Sequence, residues 1–394
     1  MFGRKKKAAA PAARPLDERV RTVTDESGML DIPFLVLTLL LVAIGLIMLF
    51  SASYASAYQR EGNPAYYFVR QAGFAVFGIV LMLVVSRMNY FIWYRTSMLI
   101  LCAAVLLLAL VPIIGTEEKG AKRWIYLGIS FQPSEIAKLA VILSFAAMMS
   151  LFKDKMDTFK YGVMPYVAIL AVIAGLLFLE PHMSATLIII AIGAMMMFLG
   201  GTKGRWFVLG AVLVVGLVAA YLAVKGYASQ RITAWLNPEA DPSDSGYQII
   251  QSRYAIGSGG LLGLGFGKSR QKYLYLPEEH NDYIFAIVCE ELGFVGALGV
   301  ILLFAMLIIR GYWIAMHARD RFGTLTAAGL TSLLALQVFL NIGVVSNMLP
   351  ATGISLPLFS YGGTALILQL VEMGIILSIS RWGTNQLTWG KKKK

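Results

Sequence analysis

Residues 282–309 read Asp282-Tyr-Ile-Phe-Ala-Ile-Val-Cys-Glu-Glu-Leu-Gly-Phe-Val-Gly-Ala-Leu-Gly-Val-Ile-Leu-Leu-Phe-Ala-Met-Leu-Ile-Ile309. Between Tyr283 and Ile309 the only charges are Glu290 and Glu291. An apolar run of this length is a membrane helix, since about 20 such residues cross the hydrocarbon core. Glu278, Glu279, His280 and Asp282 stand directly before it. Charge at the edge of a span or inside it is costly, so its first reading is functional. A carboxylate at the lipid–water boundary is placed for chemistry on a lipid-borne substrate.

Blocks of the same kind recur along the chain. The 394 residues are 58% hydrophobic and 14% charged, with a mean hydropathy of +0.70. Soluble domains run at about 45–50% apolar and about 25% charged. The fold class is therefore an all-α polytopic membrane protein, and a soluble core is excluded. Ten spans are expected, at 32–57, 65–87, 90–114, 133–152, 162–180, 183–200, 205–224, 283–309, 325–349 and 357–380. The domain plan is a basic disordered tail over 1–30, a membrane domain over 31–382 and a second basic tail over 383–394. About thirty polar residues precede the first apolar block, and no small-residue cleavage site follows it, so the start is not read as a cleavable signal.

The net charge of +12 could suggest nucleic acid, but its distribution argues for membrane topology. An even number of spans leaves both ends on one side. With the ends inside, 22 of the 34 basic residues fall on inner segments. The positive-inside rule thus makes both termini cytoplasmic. Two outer loops are basic all the same. Residues 115–132 hold Lys119, Lys122 and Arg123; the long loop 225–282 holds Lys225, Arg231, Arg253, Lys268, Arg270 and Lys272. Long loops translocate whatever their charge, and an anionic ligand such as pyrophosphate is the sharper alternative. Short helices lying on the outer surface are expected within 225–282.

Several motifs are weaker than they look. Gly257-Ser-Gly-Gly-Leu-Leu-Gly-Leu-Gly-Phe-Gly-Lys-Ser269 fails as an ATP-binding phosphate loop, because Leu262 occupies the position of the first glycine. A looser phosphate cradle beside basic residues remains open. Ser360-Tyr-Gly-Gly363 occurs once, between no paired pore helices, and reads as close helix packing rather than an ion filter. Glu135 and Lys138, three apart at the outer end of a span, can pair on one helix face. Glu180-Pro181-His182 reads as a helix-ending turn. Glu372 is deep in the last span and faces other helices or water. Asp282 can cap the helix that follows it. Glu290 falls about 80° around that helix from Asp282 and could share a cavity with it, whereas Glu291 points elsewhere. Cys102 and Cys289 sit in apolar segments as packing residues, and His182, His280 and His317 are too far apart for a zinc site.

Gly120-Ala-Lys-Arg-Trp-Ile-Tyr-Leu-Gly128 followed by Gln132-Pro-Ser-Glu-Ile-Ala-Lys138 resembles the SEDS family (shape, elongation, division, sporulation). So do Asn237-Pro-Glu-Ala-Asp-Pro242, Gly246-Tyr-Gln-Ile-Ile-Gln-Ser252, Leu276-Pro-Glu-Glu-His-Asn-Asp-Tyr-Ile-Phe-Ala286 and Pro350-Ala-Thr-Gly-Ile-Ser-Leu-Pro-Leu-Phe-Ser-Tyr-Gly-Gly363. The resemblance runs over residues 31–382, and Ser269-Arg-Gln-Lys272 is nearer the division branch than the elongation branch. Two positions depart from the family pattern: Asn281 stands where Thr or Ser is usual, and His182 where Asp is common.

The resemblance implies ten spans and a peptidoglycan glycosyltransferase that polymerises lipid II at the outer face of the bacterial cytoplasmic membrane, at the division septum. It implies a class B penicillin-binding protein (an FtsI-like transpeptidase) and other division proteins as partners, with no nucleic acid. The family's catalytic aspartate matches Asp282, which would be the general base for the acceptor hydroxyl. Arg123, Lys122, Arg231, Arg253, Lys268 and Arg270 are the candidates to hold the pyrophosphate, with Mg²⁺ or Mn²⁺ as a possible companion and no organic cofactor. Glu135, Lys138 and Glu290 are the supporting polar residues. Two alternatives stay open. A lipid II transporter would use Glu135, Lys138, Glu290 and Glu372 as a polar pathway, although no inverted repeat is visible. A scaffold activating the penicillin-binding protein would need no chemistry at Asp282.

Overall fold

A computed structural model describes residues 28–118, 121–126, 130–180, 182–210, 212, 235–240 and 246–382. The described helices are α1 (Ile32–Glu61), α2 (Tyr66–Arg87), α3 (Phe91–Ile114), α4 (Pro133–Leu151), α5 (Phe159–Gly162), α6 (Met164–Leu179), α7 (Met183–Leu199), α8 (Tyr247–Gly259), α9 (Ile284–Met316), α10 (Arg321–Val345) and α11 (Gly363–Trp382). Among the described residues, eight segments are long and apolar enough to cross a membrane, counting α5 and α6 as one. With α7 they correspond to nine of the expected spans. The expected span 205–224 lies mostly outside the described residues, as do both tails beyond Gly28 and Trp382.

Local chemistry sets the ends. Asp31 caps α1 by accepting from the Phe34 N–H at 3.0 Å, and Gly62, at φ +68°, closes it. Asp320 caps α10 through the Gly323 N–H at 3.0 Å. Prolines occupy the first turns of α1, α4 and α6, where no amide is missed. Helices α4, α10 and α11 are buried over most of their apolar length, while α2, α3 and α6 bury one stripe and leave the rest to lipid. α4 packs on α3, α7 and α10; α11 packs on α2; α9 packs on α1, α8 and α10. The polar side chains thus lie on the inner helices, away from hydrocarbon.

Two sets of loops gather at opposite ends. At one end the Gly28 N–H donates to Arg381 O at 2.8 Å, Arg310 clasps Asp31 at 2.7–3.1 Å, and Arg321 donates to Gly200 O at 2.7 Å. The two ends of the domain therefore share one face, as an even number of crossings requires. At the other end lie the three antiparallel strands β1 (Thr116–Glu118), β2 (Ala121–Tyr126) and β3 (Ser130–Phe131), helix α8, and the turns before α7, α9 and α11.

The structure corrects several boundaries. The last span starts at Gly363 rather than 357, because residues 350–362 fold back as a non-helical loop. Pro350 and Pro357 deny it amides, and Gly353 (φ +68°) and Leu358 (φ +65°) take left-handed conformations. Gly45 of α1 lets this loop sit close: a Cβ there would fall 2.3 Å from Leu358 O. The span at 284–316 is not one helix but two, broken at Gly293 (φ 68°, ψ −169°). Its longer part, 294–316, is about 35 Å long, enough for the hydrocarbon core of about 30 Å. Glu290 and Glu291 therefore sit near the membrane boundary, not at mid-depth.

The break in α9 is filled by the glycine-rich segment. Leu264 and Gly265 N–H donate to Glu290 O and Glu291 O at 2.9 and 3.1 Å, and Phe294 and Val295 N–H donate to Gly260 O and Leu261 O at 2.9 and 3.1 Å. These four bonds satisfy the backbone groups that the break exposes. Gly259 and Gly263 allow the approach, since a Cβ would lie 2.0 Å from Cys289 O and 2.1 Å from Glu291 O respectively. The phosphate-cradle reading of 257–269 is thereby corrected: the amides of Leu264 and Gly265 are spent on α9.

Candidate active site

The turn before α9 is held unusually firmly. Asn281 and Tyr283 N–H both donate to Glu278 O, at 3.0 and 3.2 Å, and Glu278 sits at φ +58°. Three successive carbonyls are then gripped from outside the turn. Tyr361 N–H donates to His280 O at 2.9 Å, Ser360 Oγ to Asn281 O at 2.6 Å and Asn341 Nδ2 to Asp282 O at 2.7 Å. The same Asn341 amide donates to Ile354 O at 2.7 Å, tying the 350–362 loop to the turn. Gln71 of α2 fixes the loop's far end, donating to Ser360 O at 3.1 Å and accepting from Gly362 N–H at 3.2 Å. His280 is stacked on Tyr67 with ring centroids 4.7 Å apart and contacts Glu279 at 3.1 Å. Asp282 is half-buried, and its carboxylate lies against Gly353, where a Cβ would come to 3.4 Å from Oδ2. The helix N-cap is Tyr283, so the alternative reading of Asp282 as a helix cap does not hold.

Beside this turn, a second group of polar side chains converges on the 350–362 loop. Ser184 donates a short hydrogen bond to Thr352 O, the neighbour of Gly353. Two residues earlier, His182 Nε2 lies 3.4 Å from Gln132 Nε2. Lys138 and Glu135 are paired at 2.6 Å in the first turns of α4. Arg123 of β2 acts electrostatically on both Glu180 and His182. Lys138 acts on His182 and, with Glu135, on Glu372 of α11. Burial lifts the Glu180 carboxyl to about 7 against the pull of Arg123. Burial, Arg123 and Lys138 together push His182 down to about 3, so it is neutral at physiological pH. The whole arrangement is a half-buried carboxylate on a rigid turn, bordered by a cluster of cations and buried acids. It can bind an anion and take a proton from a nearby hydroxyl.

The family model described as "Cell cycle protein", covering FtsW, RodA and SpoVE, matches residues 32–385. The chain belongs to this family. Relatives include stage V sporulation protein E of Bacillus subtilis, 40% identical over 89% of this chain and 97% of that protein. A probable peptidoglycan glycosyltransferase FtsW of Trichlorobacter lovleyi is 40% identical over 89% of this chain and 93% of its own length. Among solved structures, one described as a peptidoglycan synthase complex that coordinates polymerization and crosslinking matches with TM-score 0.75, at 29% identity over 89% of this chain and 98% of that one. The rod shape determining protein RodA of Thermus thermophilus matches with TM-score 0.67, at 28% identity over 89% and 97%.

Within this FtsW/RodA/SpoVE chain the candidate residues fall into four sets. Asp282, Arg123, Glu135 and Lys138 border the 350–362 loop or the cluster beside it. Lys122 is exposed on β2, opposite Glu117, and Arg253, Lys268 and Arg270 are exposed on α8 and the following loop. Arg231 lies outside the described residues. Glu290 needs correction: it does not serve a cavity with Asp282 but ties down the loop after Gly267. It accepts from Ser269 Oγ in a short bond, from Arg270 N–H at 2.9 Å and from Gln271 N–H at 3.4 Å. Glu291 does pair elsewhere, with Lys272 Nζ at 3.0 Å and Ser51 Oγ at 2.7 Å. Sequence alone does not single out Gln71, Asn341 or Ser184, and it reads Glu180 only as part of a helix-ending turn, not as a buried carboxyl beside Arg123. The Ser360-Tyr-Gly-Gly363 motif, with Pro350, Gly353 and Pro357 before it, is the local signal of the loop that Gln71, Asn341 and Ser184 hold. Among the described residues no group of three or more His, Cys, Asp or Glu could hold a metal.

Proposed function

We propose that this protein is a peptidoglycan glycosyltransferase that polymerises lipid II in septal cell-wall synthesis, with Asp282 as general base. The observation that carries it is the triple clamp on the carbonyls of residues 280–282, in a chain whose relatives bear that enzyme's name. A base gains from being fixed, since a misplacement of about 1 Å costs about 100-fold in rate. Asp282 takes the proton of the acceptor sugar's 4-hydroxyl as that oxygen bonds to C1 of the donor. The C1–O bond to pyrophosphate breaks, and the leaving polyprenyl pyrophosphate carries the electron pair. Displacement of an α-linked pyrophosphate from the opposite side inverts C1 and gives a β-linked glycan. Negative charge grows on the leaving group, where Arg123, supported by Lys138, stabilises it, while Lys122, the exposed neighbour of Arg123 on β2, is assigned to the approach of the anionic lipid. Arg253, Lys268 and Arg270, exposed on α8 and the loop after it, draw the anionic lipid in, and we assign the same task to Arg231, which lies outside the described residues. Mg²⁺ or Mn²⁺ bound to the pyrophosphate would add charge neutralisation.

The membrane arrangement goes with this reading. We place ten crossings in the cytoplasmic membrane at the septum, both termini in the cytoplasm, and the end carrying Asp282 outside, where lipid II is displayed. A class B penicillin-binding protein is the partner, in keeping with the synthase complex whose structure this chain resembles. The test uses purified lipid II, the full chain and its penicillin-binding protein with the transpeptidase blocked by a β-lactam. Glycan polymer that a β-1,4-specific muramidase digests is the expected product. Lipid II crossing vesicles with no polymer would replace the enzyme by a transporter.

A further inference from the structure

Glu180 ends α6 and is 1% exposed, yet neither carboxyl oxygen has a hydrogen-bond partner among the described residues. Buried polar atoms are almost always paired, so such an exception calls for an explanation. It is not isolated. His182 Nδ1, Ser134 Oγ and Thr352 Oγ1 are also buried and unpartnered. Hydrogen bonds and chain proximity bring these residues to one place. Ser134 is two residues from Gln132, which reaches His182, and Ser184 holds Thr352. Four buried polar groups without partners among the described residues, beside Arg123 and one residue from the Gly353 wall of Asp282, are a set that a polar ligand would satisfy.

Resting on the lipid II reading, we infer that Glu180 acts as a neutral hydrogen-bond donor to the substrate's pyrophosphate at Arg123, so that binding this anion takes up a proton. An ionised Glu180 would compete for Arg123 and repel the anion; a protonated one donates to a phosphate oxygen. The charge acting on Glu180 is Arg123 from β2; Lys138 of α4 acts on His182 two residues on and, with its partner Glu135, on Glu372 of α11. His182 remains neutral and does not titrate above pH 6. Glu180, raised to about 7, changes charge across the physiological range. The sign follows: the binding form is complete below pH 7 and is lost as pH rises through it. The protonated fraction falls from about nine-tenths at pH 6 to about one-tenth at pH 8, so affinity falls about tenfold.

The probe is lipid II methylated on the acceptor hydroxyl, which cannot be polymerised and whose pyrophosphodiester does not titrate between pH 6 and pH 8. Its affinity for the full chain is measured by calorimetry at both pH values, in two buffers of different ionisation enthalpy. Wild type should weaken about tenfold and take up about half a proton at pH 7. Glu180→Gln, always neutral and still a donor, should bind equally at both pH values with no uptake. A flat wild type, or a Glu180→Gln variant that still weakens tenfold, overturns the assignment. If Glu180→Gln does not fold, absence of proton uptake in wild type overturns it alone. No binding by wild type at either pH would instead sink the lipid II reading on which the inference stands.

Discussion

Asn341 is the side chain on which the rigidity of the site depends most. It is fully buried in α10, and its Nδ2 donates to both Asp282 O and Ile354 O at 2.7 Å. Both partners are carbonyls, which fixes the orientation of the amide. Asn341→Ala leaves two buried acceptors without a donor, at about 1–3 kcal/mol each. A total of about 2–6 kcal/mol is expected, toward the lower end if water enters. Asn341→Asp is nearly isosteric and sets oxygens against both carbonyls, so it should be at least as damaging. Either change frees the carbonyl of Asp282 and the 350–362 loop together, which lets the carboxylate drift. The expected result is a loss of about 10- to 100-fold in kcat, with KM changed by no more than about threefold. Thermal unfolding in detergent measures the first quantity, and steady-state lipid II polymerisation the second. A folded Asn341→Asp variant that polymerises at the wild-type rate would refute the view that this clamp positions Asp282.

Other consequences follow from the same packing. Gly263→Ala places a Cβ 2.1 Å from Glu291 O at φ +78°, so the plug in α9 must shift. The expected signs are a lower unfolding temperature and new protease cleavage within 260–272. Lys272→Met should cost about 3–5 kcal/mol by stranding the Glu291 charge, whereas Lys272→Met with Glu291→Leu should recover much of it in a thermal double-mutant cycle. Arg123→Ala should weaken binding of the methylated lipid II probe and flatten its dependence on salt, while Arg123→Lys restores only part, since the ammonium lacks the guanidinium's fork.

The sequence alone carried the membrane class, because hydropathy blocks of twenty residues have no soluble equivalent. It also carried the Glu135–Lys138 pair, because a spacing of three on a helix is a local fact. What it hid was non-local. The run 282–309 reads as one helix, since a lone Gly293 among apolar residues is ordinary; the break depends on residues 260–265 arriving from about thirty positions upstream. A helical wheel extended back to 282 links Glu290 with Asp282, but the helix starts at Ile284 and Glu290 is taken by the Ser269 hydroxyl and the 270–271 amides. Residues 350–362 are apolar enough to count as membrane span, and Pro350, Gly353 and Pro357 were the local warning. Glu180 passed as part of a proline turn, because burial without a partner cannot be seen before the loops are brought together.

The central claim is that Asp282 removes the acceptor's proton. The direct measurement is the polymerisation rate of Asp282→Asn against wild type, at equal folded amounts and with the penicillin-binding protein bound equally well. Positioned base catalysis contributes about 10²–10⁴-fold. A loss of that size in kcat, with probe binding preserved, is the predicted result. Polymer formed at the wild-type rate by Asp282→Asn would contradict the account.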